Sequence, residues 1–126
     1  MKKLLKLLPL VVVLVLCTLL LVACGINKYK NNLEAEDYEV NEWDEEEIAD
    51  NLDDIGLDAE DFNIKGVLEA DKGNDGVIVI EFGSKDEAED FVDSAAMKAV
   101  AIMMTVEQDG KFVIFGTEDA VEVALG

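Results

Sequence analysis

Carboxylates and cysteines are the side chains whose chemistry stands out in this 126-residue chain, which holds 29 acidic residues and two cysteines but no histidine and no arginine. Without histidine there is no Ser-His-Asp triad, no imidazole general base and no zinc site of the usual kind. The glycines form neither a P-loop nor a dinucleotide-binding fingerprint. Paired carboxylates suit glycoside hydrolysis, where one acid protonates the leaving group and the other attacks or activates water. Among so many acids, neighbouring pairs arise by chance, so a carboxylate hydrolase is the weakest reading and a protein without enzymatic activity the better one. A net charge of −19 opposes nucleic acid, whose binding is driven by Lys and Arg releasing phosphate counterions. It also opposes anionic lipid headgroups.

Both cysteines lie early. Met1-Lys2-Lys3 with Lys6 makes a short basic region, and an apolar run from Leu7 to Ala23 follows, interrupted by Pro9 and Thr18. This is the layout of a signal peptide. The run also approaches the roughly 18–20 apolar residues that span a bilayer, so a retained transmembrane anchor is the alternative. Cys17 follows bulky Leu16, whereas Cys24 closes the tetrapeptide Leu21-Val22-Ala23-Cys24. That tetrapeptide resembles the lipobox of bacterial lipoprotein precursors at every position. The resemblance implies cleavage between Ala23 and Cys24, diacylglycerol on the Cys24 thiol and, in many bacteria, an acyl chain on the new amino terminus. One acyl chain binds a membrane marginally, whereas two or three hold stably at roughly 0.8 kcal/mol per buried CH₂. Removing 23 residues leaves 103, with seven lysines against 29 acids, a net charge of −22 and no free thiol. Thiol catalysis then drops out.

Asp71-x-Gly73-x-Asp75-Gly76 is the candidate metal motif, similar to the front half of a calcium loop. An EF-hand needs oxygen ligands at positions 1, 3 and 5, Gly at 6 and a bidentate Glu at 12. Here position 3 is Gly73 and position 12 is Phe82, and strands flank the motif. A hairpin turn accounts for the same residues, because Gly and Asp are what turns require. Met97, Met103 and Met104 read as fillers of core gaps. The acids Glu46, Glu47, Asp50, Asp53 and Asp54 read as a solvated helix face whose like charges invite a counter-ion.

The elements that must position these residues follow from pattern. A helix is expected over about 45–55, with Asp44 and Glu47 as a capping box, Trp43 and Ile48 as a hydrophobic staple, and Gly56 as the stop. Two strands at about 64–70 and 77–82 flank the turn 71–76. Ser84 caps a second helix bearing Ala88, Phe91, Val92, Ala95 and Ala99, and the apolar run 95–104 fits helix or strand equally. A strand to about Gln108, a turn at Asp109-Gly110 and a strand over 111–115 follow, and Thr117 caps a last helix to about Leu125. Asp75-Gly76…Phe82-Gly83-Ser84 is echoed by Asp109-Gly110…Phe115-Gly116-Thr117, as duplication or as shared ββα punctuation.

The expected organisation is therefore a signal peptide (1–23), a lipidated N-terminus and tether (24–43), and a small acidic domain (44–126). The domain is expected to be α+β, a two-layer sandwich of helices on a four-stranded, mostly antiparallel sheet in the order α-ββ-α-ββ-α. Tyr38-Glu39-Val40 could add a short edge strand. Both faces of the sheet read as apolar, so one face needs a cover from the first helix or from a partner. The chain is similar to the small uncharacterised lipoproteins of Gram-positive bacteria that pair a lipobox with a short α/β domain. That likeness implies a cell-membrane location on the extracytoplasmic face; the anchor, the absence of catalytic side chains and a sheet face in need of a cover point to a protein partner there. No cofactor beyond the covalent lipid is expected, and calcium binding by the acidic surface is the alternative.

Overall fold

The computed structural model describes residues 25–126. The expected signal peptide, its cleavage site at Ala23 and the lipid site at Cys24 lie outside the described residues. The fold is mixed α+β around a five-stranded antiparallel sheet of order β1-β2-β3-β5-β4. Its strands are β1 (Glu39–Glu42), β2 (Ile64–Lys72), β3 (Asp75–Phe82), β4 (Thr105–Asp109) and β5 (Phe112–Gly116). Helical residues 25–35 form α1. The other helices are α2 (Glu45–Asp54), α3 (Lys85–Val92), α4 (Ala95–Met103) and α5 (Glu118–Leu125), with a 3₁₀ turn at Ala59–Asp61.

Successive strand side chains point to opposite faces, and here both sets are apolar. Leu68, Val77, Val79 and Ile114 pack with Tyr29 and Leu33 of α1 and Ala120, Val121 and Ala124 of α5. Val67, Ile80, Phe82, Val113 and Phe115 pack with Leu52 of α2, Ala88 and Phe91 of α3 and Met97 of α4. The sheet is thus covered on both sides. Three layers replace the two expected, five strands replace four, and the helix α1 with strand β1 precedes the expected order.

The tether expected over 24–43 is corrected by the same packing. From residue 25 the chain is folded, with Tyr29 and Leu33 fully buried. Ile26, Tyr29 and Leu33 are spaced as one helical stripe. The helix ends in a Schellman turn: the Tyr38 N–H donates to the Leu33 carbonyl at 3.0 Å and the Asp37 N–H to the Glu34 carbonyl at 3.1 Å. Asp37 takes the left-handed position (φ 66°) that glycine usually occupies. Tyr38 then meets Leu33 in the core and leads into β1, which pairs Val40 with Ala70.

Capping residues behave as their chemistry requires, with one exception. Asp44 accepts from the Glu47 N–H at 2.8 Å while the Asp44 N–H donates to Glu47 Oε1 at 3.2 Å, completing the expected box. Ser84 accepts from the Glu87 N–H at 3.2 Å. Ser94 caps α4 separately, so the expected second helix is two helices, and the apolar run 95–104 is helical to Met103 with β4 starting beyond it at Thr105. Thr117 makes no side-chain cap; its hydroxyl instead accepts from the Gly76 N–H at 3.2 Å, tying α5 to the sheet. Both hairpins close through two residues, Gly73-Asn74 and Gly110-Lys111, with each glycine at φ 61° as a II′ turn requires. The echoed units nevertheless send their helices to opposite faces, α3 to one side and α5 to the other, so their punctuation is shared and their packing is not.

Truncation of a residue in a tether costs nothing, whereas removing a buried leucine side chain costs about 2–5 kcal/mol. Leu33→Ala is therefore expected to lower stability by that order in chemical denaturation, and an unchanged midpoint would show that α1 does not belong to the core.

Candidate functional site

The described chain starts at the end of the sheet where β4 turns into β5. A Cβ on Gly25 would run into the Phe112 ring, so the first described residue already lies against β5. One helical turn on, the Tyr29 ring packs tilted against Phe112 at 5.1 Å between ring centroids. Its hydroxyl donates to Asp109 Oδ2 at 2.6 Å, and Lys28 Nζ reaches the same oxygen at 3.4 Å. Asn32 Nδ2 donates to the Ala124 carbonyl at 2.9 Å, fastening α1 to the end of α5. Burial, then the hydrogen bond to Asp109, raises the Tyr29 phenol far above its ordinary pKa. The Tyr29 hydroxyl holds Asp109 below the usual carboxylate range; partial burial opposes this and Lys28 adds to it.

Ion pairs gather at this end. Lys28 meets Asp109, Lys30 meets Glu42 at 3.9 Å, and Lys111 meets Glu81 at 3.0 Å. Glu81 is the one buried charged residue among those described, at 8% exposure, and the Lys111 ammonium compensates it. Cys24, the expected lipid site, is joined to Gly25 by a single peptide bond.

The candidate metal ligands are not brought together. Asp71 pairs with Gly76, and Asp75 pairs with Lys72, so strand alternation puts the two carboxylates on opposite faces of the hairpin. Among the described residues, no group of three or more acidic or cysteine side chains gathers closely enough to hold a metal ion. The acids of α2, Glu46, Glu47, Asp50, Asp53 and Asp54, are all exposed.

The methionines divide, contrary to the expectation of a shared core role. Met97 is fully buried, but Met103 is 86% exposed and Met104 about half exposed. The end of α4 has no element over it, so Ile102 (85% exposed) and Met103 stand in solvent. Beside them an apolar cleft of about 210 Å³ is lined by Trp43, Leu52, Ile55, Ile78, Met104 and Phe115. It is smaller than the roughly 300–1,000 Å³ of sites for small ligands. It shares Ile78, Met104 and Phe115 with a more open hollow that reaches Asp71. Sequence periodicity did not find this patch, because an apolar run cannot report which of its members tertiary packing leaves uncovered.

No protein-family model, curated protein or solved structure matches the chain.

The Tyr29–Asp109 bond has a defined pH window. Asp109, depressed in the fold, contributes stability above the unfolded carboxylate range and loses it as pH falls through the folded value. Tyr29, raised in the fold, contributes fully below about pH 10 and loses it progressively above. Tyr29→Phe is expected to cost about 1 kcal/mol at neutral pH, below the roughly 1.5–3 kcal/mol of a bond to a charged group because Asp109 is half exposed. The gap in melting temperature between variant and wild type should narrow at both pH extremes; a gap that stays constant with pH would show that the bond contributes nothing. Because Asp71 and Asp75 face apart, Asp71→Asn and Asp75→Asn should each leave a calcium-induced shift in melting temperature as it is in wild type, and abolition of the shift by either would identify a joint site.

Proposed function

We propose that the protein is a lipid-anchored lipoprotein on the extracytoplasmic face of the cell membrane, without enzymatic activity, that works by contact with a protein partner. The observation that carries this reading is Leu21-Val22-Ala23-Cys24 at the close of a basic and then apolar leader. No helix among the described residues is long and apolar enough to cross a membrane. Two or three acyl chains on Cys24 supply a hold that does not depend on surface charge, which a mature charge of −22 would otherwise oppose. The partner reading draws on Ile102, Met103 and Met104, a contiguous exposed apolar stretch of the kind that marks interaction surfaces.

Metabolic labelling with radioactive palmitate tests the anchor. The full chain is expected to take up label and to sediment with membranes, whereas Cys24→Ser is expected to be unlabelled and either uncleaved or shed. Label retained undiminished in Cys24→Ser would overturn the reading.

A further inference from the structure

Resting on the lipid anchor at Cys24, we infer that the domain has no tether and stands on the bilayer by one defined end, the β4–β5 turn and its neighbours, against an anionic phospholipid surface. Two observations point the same way: where the chain enters the fold, and how the lysines divide between its two ends.

Entry comes first. Gly25 lies against Phe112, and Gly66, Glu81, Phe112 and Asp109 are consecutive partners across β2, β3, β5 and β4. A Cβ at Gly66 would come within 3.5 Å of Ile26, so α1 begins over this row of the sheet. Consecutive Cα atoms are about 3.8 Å apart. A lipid on Cys24 is therefore separated from the packed domain by one residue step, and the row of Gly66 and Phe112 is brought to the headgroups with it.

Charge agrees with that placement. The three ion pairs found among the described residues all lie around the first turns of α1, where Lys28, Lys30 and Lys111 match Asp109, Glu42 and Glu81. Lys65 adds an exposed lysine beside Gly66. Acids also lie at this end, where Glu87 accepts from the Asn63 N–H and Glu45 and Glu60 border Ile64, so it is not neutral, but it gathers more lysines than the opposite end. The other end is different. There Glu36, Asp37, Glu39, Asp71, Asp75, Glu118 and Asp119 flank a single lysine, Lys72, whose ammonium donates to the Glu36 carbonyl at 2.7 Å. The field there acts on Tyr38: after burial, the charges of Asp75, Asp119 and Glu36 raise its phenol.

Distance makes the arrangement effective. Lys65 and Lys72 lie seven residues apart on β2, roughly 23 Å at the rise of a strand. The Debye length at physiological salt is about 8 Å. With the entry end on the bilayer, the acidic end sits more than two screening lengths from the headgroups. Tipped over, it would meet them directly. The exposed Ile102 and Met103 precede β4, whose first residue Thr105 pairs with Gly116 at the acidic end, so the apolar patch is held away from lipid and open to a partner.

The mature protein lacks a free thiol, so single cysteines can report depth. Full-chain Lys65→Cys and Asn74→Cys, neither in an ion pair, are labelled with a polarity-insensitive fluorophore and reconstituted into vesicles of phosphatidylglycerol and phosphatidylcholine carrying a headgroup quencher. Flotation and the mass of the lipidated N-terminus are read on the same samples. Quenching several-fold stronger at position 65 than at 74 is expected. Equal quenching at the two positions in a protein that floats and carries lipid would overturn the orientation while leaving the anchor standing. Stronger quenching at 74 would overturn it in the same way. A protein that carries no lipid and does not float overturns the anchor and the orientation together.

Discussion

Strand β3 carries Val77 and Val79 on one face and Ile78, Ile80 and Phe82 on the other, and it runs through the middle of the sheet with β2 and β5 at its sides. A central strand that is apolar on both faces must be covered twice, because each exposed face would leave hydrocarbon in water at roughly 25 cal/mol per Å². The remaining architecture answers that demand. Helices α2, α3 and α4 cover Ile80 and Phe82, and helices α1 and α5 cover Val77 and Val79. Neither cover is complete without contributions from distant parts of the chain.

The helix α1 is therefore as much a part of the core as any later element. Its Tyr29 fills the space over Phe112 and ties its hydroxyl to Asp109, and its Leu33 meets Tyr38 where the chain turns into β1. The consequence for function is mechanical. A segment that would serve as a flexible leash is instead packed against the sheet from residue 25 on. Charge is unevenly distributed along the sheet, with ion pairs near the start of α1 and unmatched carboxylates at the β2–β3 turn.

Much of the local structure was legible because it rests on short-range chemistry. The box of Asp44 and Glu47 needs only residues three apart, and Ser84 finds the Glu87 N–H for the same reason. The hairpins follow from glycines that tolerate a positive φ, although the first turn is tighter than expected and the second is centred one residue later. Helix α1 is hard to read from sequence because its stop is an aspartate, not a glycine, and because the two lysines and three asparagines around Tyr29 look like linker composition. The spacing of Ile26, Tyr29 and Leu33 was the available signal. Asp71 and Asp75 illustrate the opposite failure, a spacing that suits a cation in a loop but that strand alternation turns to opposite faces.

By itself, then, the sequence determined the strongly acidic balance, the caps at Asp44 and Ser84, the two hairpins and the amphipathic elements after residue 44, which rest on composition or on neighbours within a few residues. Only the tertiary structure decided that the sheet is covered on both sides, that residues 25–43 are core and edge, and that Met97 is buried while Met103 stands in solvent. The reason is physical. Periodicity says that a side chain is apolar and which way it points along its own element, but whether another element comes to lie over it is settled by contacts between residues far apart in the chain.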